Sequence, residues 1–356
     1  MKIDISAKIT GIKYTPFLCR KLKTYNLIDF DKALSNDATF ILKIDEKNQI
    51  AVSWWVSAKR TRSYPYSRVY DSLGFAGKKI TVIPIFKDEG KEGDRDFLQW
   101  DTISLMSLLG VYVIIAYYSD AIPSSRYDKK ITKQKYDISY LTGEIKKILS
   151  YQSDALHWNL SQIDKIGDIG SRAIESYRKI SKKLNIEMHS MDLAEKRINQ
   201  LKQSKDIFMK FSRNLAALAQ KREMITIQPK EMLEGNKGMI TISNYLGGHY
   251  FFTADEVKID GNNIHLLDAK HTKTDKLPAL EDIKDALLKM TLFTNLEDVK
   301  LDGKGYNPVE VLKMTTGKNF KIENINKSQK EMLEVLKKEA KSNGFKIVVN
   351  EYFIPH

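Results

Sequence analysis

Apolar residues recur at two different periods along this chain, and the period changes twice. Up to about residue 125, short β-branched and aromatic runs at 40–44, 50–56 and 80–86 are separated by turn-forming residues, a pattern that predicts strands. The run Val111-Tyr112-Val113-Ile114-Ile115-Ala116-Tyr117-Tyr118 is continuously apolar and predicts a buried strand, being far too short to cross a bilayer as a helix. Just before it, residues 101–109 predict a helix with Asp101 as N-cap and Gly110 as its stop. From about 135 to 223 the spacing becomes helical, with Leu184, Met188, Met191, Ile198, Leu201, Ile207 and Phe208 on the apolar positions and no proline. Several antiparallel helices are the simplest account. Beyond 225 strand patterns return at 244–258, 263–269 and 345–353, with helical stretches at 280–296 and 329–342.

The predicted class is therefore mixed α/β, an α+β arrangement in three parts. Residues 1–125 form an N-terminal α/β domain, 126–223 a helical region, and 224–356 a C-terminal domain with a mixed sheet flanked by helices.

Composition narrows the functions available. The chain has 356 residues, and 58 Lys and Arg against 45 Asp and Glu give it a formal charge of +13. Such an excess points to an anionic partner, nucleic acid before membrane surface. A lone cysteine, Cys19, excludes an internal disulfide or a cysteine-built zinc site. The opening MKIDISAKITGIKY has no apolar stretch of signal-peptide length, so a soluble, cytoplasmic protein without a membrane partner is expected. The six histidines show no metal-ligand spacing, and no GxxxxGK[ST] loop is present to cradle a nucleotide.

One segment carries chemistry. In Asp255-Glu256-Val257-Lys258-Ile259-Asp260-Gly261-Asn262-Asn263-Ile264-His265-Leu266-Leu267-Asp268-Ala269-Lys270, the Asp260-Gly261 pair predicts a tight turn between two strands. Period-2 alternation puts Asp268 and Lys270 on one face, and the hairpin brings Asp255 towards them. Two carboxylates and an ammonium at a strand end suit phosphodiester hydrolysis, because hard carboxylate oxygens hold Mg²⁺ and a lysine beside it orients water and offsets phosphate charge. Glu256 alternates to the opposite face and ranks lower. Glu231 or Glu234 is a weaker candidate for completing the site.

Asp255 followed by Asp268-Ala269-Lys270 resembles the PD-(D/E)XK nuclease superfamily, most closely its type II restriction endonucleases. The resemblance covers roughly residues 225–356, with Ala254 in place of the family's proline and Asp268 in place of its commoner glutamate. It implies that Asp255 and Asp268 are metal ligands, that Lys270 is catalytic, and that the cofactor is Mg²⁺. It also implies a strand-strand-helix order through the helix at 280–296, and a cognate DNA methyltransferase in the host. Lys273, Lys276 and Lys289 would then supply basic side chains near the bound strand.

A second segment, 57–68, places Lys59, Arg60, Arg62 and Arg68 among Tyr64 and Tyr66. Arginine reads guanine bidentately or holds phosphate, and tyrosine stacks on bases, so this is the candidate DNA-recognition surface. The acidic group Asp88, Glu89, Glu92, Asp94, Asp96 and Asp101 reads as a solvated loop.

The expected activity is Mg²⁺-dependent, sequence-specific cleavage of double-stranded DNA, with dimerisation allowing both strands to be cut. A structure-selective or repair nuclease and a non-catalytic DNA-binding protein are the alternatives.

Overall fold

The computed structural model describes residues 3–58, 64–202, 236–244 and 249–355. The chain is mixed α/β, and it divides into two compact units, one of residues 22–215 and one of residues 1–21 with 216–356. These boundaries differ from the three parts expected. The first 21 residues join the C-terminal unit, and the helical stretch belongs with the α/β part before it.

The C-terminal unit is built on a nine-stranded sheet. In spatial order its strands are Lys304–Gly305, Glu297–Leu301, Ile3–Ile9, Asn236–Asn244, His249–Asp260, Asn263–His271, Asn307–Thr315, Lys346–Val349 and Tyr352–Ile354. Strand Ile3–Ile9 alternates buried and exposed side chains without a break, the mark of a strand with one face on a core. It pairs in parallel with Asn236–Asn244 through Ile3–Gly238 to Ile9–Asn244.

The expected strand at 244–258 is in fact parts of two antiparallel strands, Asn236–Asn244 and His249–Asp260. The expected strand at 345–353 likewise splits into Lys346–Val349 and Tyr352–Ile354, an antiparallel pair that turns where Asn350 adopts φ +52°.

Strands Asn263–His271 and Asn307–Thr315 are parallel neighbours. A parallel pair needs a crossover, and helix Leu280–Phe293 supplies it, packing on both strands. Ala286 to Phe293 are all buried, so this helix lies inside the unit rather than on its surface. Residues 10–21 are tied down by helix Lys327–Asn343, where the Glu339 carboxylate accepts from the Tyr14 hydroxyl at 2.7 Å and the Phe17 amide at 2.9 Å.

The other unit holds a five-stranded sheet in the order Thr24–Asn26, Thr39–Lys43, Gln49–Trp54, Lys79–Pro84 and Val111–Ala116. Every residue of Val111–Ala116 is buried, as its apolar run predicts. This strand ends the sheet, which leaves backbone groups in need of partners. Helix Ala155–Asp164 provides them: the Asn159 amide accepts from Val113 N at 2.7 Å and donates to Val111 O at 2.9 Å, while the Trp158 indole donates to Val113 O at 2.8 Å.

The expected helix before this strand is Trp100–Leu108, with Gln99 rather than Asp101 at the N-cap. Gly110 closes it at φ +67°, a conformation that glycine adopts without strain. Helices Ile138–Ser150, Ile166–Leu184 and Met191–Lys202 complete the helical stretch. Among the described residues, no helix is long and apolar enough to cross a membrane.

Candidate active site

The hairpin turns at Asp260-Gly261-Asn262-Asn263, with Gly261 at φ +58°, and its strands pair from Asp260–Asn263 back to Glu256–Leu267. The ladder ends there, and Asp255 and Asp268 are the next residue on each strand. Lys270, two residues beyond Asp268, shares its face. The Asp255 Oδ2 accepts from the Ala269 amide at 2.8 Å, which fixes the carboxylate across the end of the ladder.

Helix Leu280–Phe293 lies over this face with two polar side chains one turn apart. Asp285 Oδ2 lies 2.8 Å from Lys270 Nζ, and Lys289 donates to Asp268 Oδ1. Lys270 Nζ is also 3.3 Å from Asp268 Oδ2. Asp268 is fully buried and Lys289 is 2% exposed, so these two form the floor of the site. Asp255, Lys270 and Asp285 keep part of their surface accessible and form its mouth. Lys289 thus departs from expectation: it does not reach towards a bound strand but is buried against the central carboxylate.

Electrostatics separate the carboxyl groups. Burial raises the Asp255 carboxyl above its ordinary range; the nearby Asp268 charge adds to this, and Lys289, Lys270 and the Ala269 amide oppose it. Asp282, one turn before Asp285, is also raised by burial and partly restored by Lys270. Glu310, on the parallel strand beside Asn263–His271, is pushed up to about 7 by burial alone.

Glu256 projects from the opposite face of its strand, 3.1 Å from Lys258 Nζ and 3.6 Å from Lys313 Nζ, and takes no part in the site. His271 Nδ1 lies 2.9 Å from Thr315 Oγ1. Glu231 and Glu234 fall outside the described residues.

Asp255 and Asp268 bring two carboxylates to adjacent strands of the sheet. Among the described residues no group of three or more His, Cys, Asp and Glu is placed to hold a metal ion. Asp255 and Asp268 are two carboxylates only, and the Asp268 oxygens already face Lys289 and Lys270. Lys273 and Lys276 are exposed on the loop that follows Lys270.

In the other unit, Lys59, Arg60 and Arg62 lie outside the described residues. The segment leading to them is firmly held: the Tyr136 hydroxyl donates to Trp55 O at 2.5 Å, that of Tyr118 to Val56 O at 2.8 Å, and Ser57 to Asp96 Oδ2 at 2.7 Å. Tyr64 is exposed and sits at φ +48° just ahead of Pro65. Tyr66 departs from its expected role. It is 5% exposed and packs edge-on against buried Trp55, so its ring has no face left for a base. Arg68 stacks over Trp54 at 4.6 Å and donates to Trp54 O at 2.7 Å, which makes it a brace for this strand end.

The acidic loop is also not solvated as expected. Asp88, Glu89 and Asp96 are buried. Asp88 Oδ1 lies 2.9 Å from His189 Nδ1, and Glu89 is held between Lys87 and Lys130 at 2.7 and 2.8 Å. Burial would raise the Glu89 carboxyl, but the hydrogen bonds from Lys130 and Lys87 outweigh it and bring it down to about 2.

No family model, curated protein or solved structure matches this chain.

Proposed function

We propose that this chain is a Mg²⁺-dependent endonuclease that cuts double-stranded DNA, of the kind found in type II restriction systems. The observation that carries this reading is the convergence of Asp255, Asp268 and Lys270 on one face at the end of a hairpin. When bound, Mg²⁺ would neutralise phosphate charge and acidify a water. Asp255 and Asp268 would hold it. Lys270, kept in place by Asp285, would hold the attacking water against the phosphorus while the ester oxygen on the far side leaves. Lys273 and Lys276 would grip backbone phosphates, and the segment from Lys59 to Tyr64 would contribute recognition. A homodimer would cut both strands. This reading implies a cytoplasmic setting with a cognate methyltransferase.

A non-catalytic DNA-binding protein is the second reading, and one observation favours it: Asp268 is already engaged by both Lys270 and Lys289. Incubating unmethylated phage DNA with the protein, in Mg²⁺ or in EDTA, separates the two. Discrete fragments that require Mg²⁺ and vanish in Lys270→Ala support the nuclease. Intact DNA that is nonetheless bound supports the second reading.

A further inference from the structure

Strands Tyr118–Pro123 and Ile131–Tyr136 form a two-stranded antiparallel sheet of their own in the unit of residues 22–215. The inner side of this ribbon is anchored. Tyr118, Ala121, Ile131 and Tyr136 are buried, the Tyr118 and Tyr136 rings stack with centroids 4.4 Å apart, and Ser176 of helix Ile166–Leu184 donates to Tyr118 O at 2.6 Å. The same two tyrosine hydroxyls hold Trp55 O and Val56 O, which fixes the ribbon beside the strand end that runs towards Lys59. Its tip is held as well: Ser124 N donates to Lys130 O and Ile131 N to Glu89 O, both at 2.8 Å.

The outer side is left to solvent, and it is basic. Residues 118–136 carry five cations against two carboxylates. Asp120 is bridged to Lys183, Lys130 to Glu89 and Lys135 to Asp31. Arg126, Lys129 and Lys133 are all exposed, with Asp128 between the first two and Glu92 bonded through its amide to Lys129 O. Lys133 stands at φ +47° where the register shifts between Thr132 and Lys135. That conformation strains any residue but glycine, and a bulge re-aims the side chain it carries. Ile122 pairs with Thr132 across the ribbon and is 44% exposed, an apolar side chain that no core uses.

We propose that this ribbon docks in the major groove of duplex DNA, its outer face towards the bases. This role rests on DNA as the partner, which the nuclease and the non-catalytic readings share, and not on catalysis. The major groove is about 12 Å wide and admits a two-stranded ribbon, whose strands lie about 4.8 Å apart. Each strand has six residues and so runs about 20 Å, enough to follow the groove across several base pairs. Lys129 and Lys133 hold phosphates on the groove's edges, Arg126 reaches a guanine edge, and Ile122 with Thr132 packs on thymine methyls.

The test is binding of a fluorescein-labelled duplex of mixed sequence across a range of salt, in EDTA so that no strand is cut. The wild type is compared with Arg126→Ala and with a triple variant, Arg126→Ala with Lys129→Ala and Lys133→Ala, each checked for folding by circular dichroism. Dimethyl sulfate footprints the same complexes, because it methylates guanine N7 in the major groove and adenine N3 in the minor. The triple variant should bind about tenfold or more weakly, with a slope of log affinity against log salt shallower by about two. The wild type should protect guanine N7, and Arg126→Ala should lose part of that protection. Unchanged affinity and slope in the folded triple variant overturn the ribbon's role and leave both DNA readings standing. Protection of adenine N3 without guanine N7 places the protein in the minor groove and overturns the role whatever the fold of the variants. No binding by the wild type at any salt removes DNA as the partner, and both readings fall with it.

Discussion

Lys289, four residues from the end of helix Leu280–Phe293, donates to Asp268 on the neighbouring strand, and both are buried. Neither charge has water to fall back on, so each depends on its partner more than a surface pair would. Lys289→Ala should lower stability by about 1–3 kcal/mol, less than stranding an isolated buried charge, because Lys270 still lies 3.3 Å from Asp268. Replacing both, as Asp268→Leu with Lys289→Met, should recover most of that loss. Urea unfolding of the two single variants and the double variant measures the coupling directly.

Lys270 and Asp285 make a separable pair at the mouth of the site. Lys270→Ala should abolish cleavage and leave DNA binding nearly unchanged. Asp285→Asn keeps the shape but loosens the ammonium, and should slow turnover while sparing KM. Cleavage rates alongside gel-shift affinities distinguish these effects from a general loss of folding.

Glu310 gives the fold a pH dependence of known sign. Its carboxyl stands at about 7 in the folded chain against an ordinary 4.5, so the folded state holds the proton more tightly than the unfolded one. Its contribution is greatest at low pH and is lost as pH rises from about 4.5 through 7. The loss should be about 3 kcal/mol over that range, and Glu310→Gln should flatten it. Urea midpoints of the two proteins across the interval test this.

Asn159 carries the end of the five-stranded sheet. Asn159→Ala would remove its hydrogen bonds with Val113 N and Val111 O while both stay buried. A destabilisation of about 2 kcal/mol or more is expected, with faster amide exchange along Val111–Ala116.

Tyr66 should behave as a core residue. Tyr66→Ala should cost about 3–5 kcal/mol of stability, as large aromatic truncations in cores do. Tyr66→Phe should leave DNA affinity unchanged; a weakened gel shift in a fully folded Tyr66→Phe would return the side chain to the interface.

The hairpin and its three charged residues were legible because every signal for them is local. A turn dipeptide, a period of two and a short spacing all lie within sixteen residues. The parallel strand Asn307–Thr315 was not, since Glu310 and Lys313 interrupt its apolar run and its partner is more than forty residues away. Strand Ile3–Ile9 alternates plainly in sequence, but what it pairs with is far along the chain. Lys289 did leave a trace: a single charge within the apolar run Ala286-Leu287-Leu288-Lys289-Met290-Thr291-Leu292-Phe293 marks a buried lysine that must have a partner. Tyr66 was misread because a basic, aromatic composition does not say which rings turn inward.

Strand Ile3–Ile9 lies in the sheet interior between Asn236–Asn244 and Glu297–Leu301, segments the ribosome makes more than two hundred residues later. The unit of residues 22–215 can finish folding while this strand still waits with both edges open. The unit that carries Asp255, Asp268 and Lys270 can close around this strand only after residue 301 has been made. Any activity this unit houses would therefore stay silent on the nascent chain until both neighbours of Ile3–Ile9 have emerged.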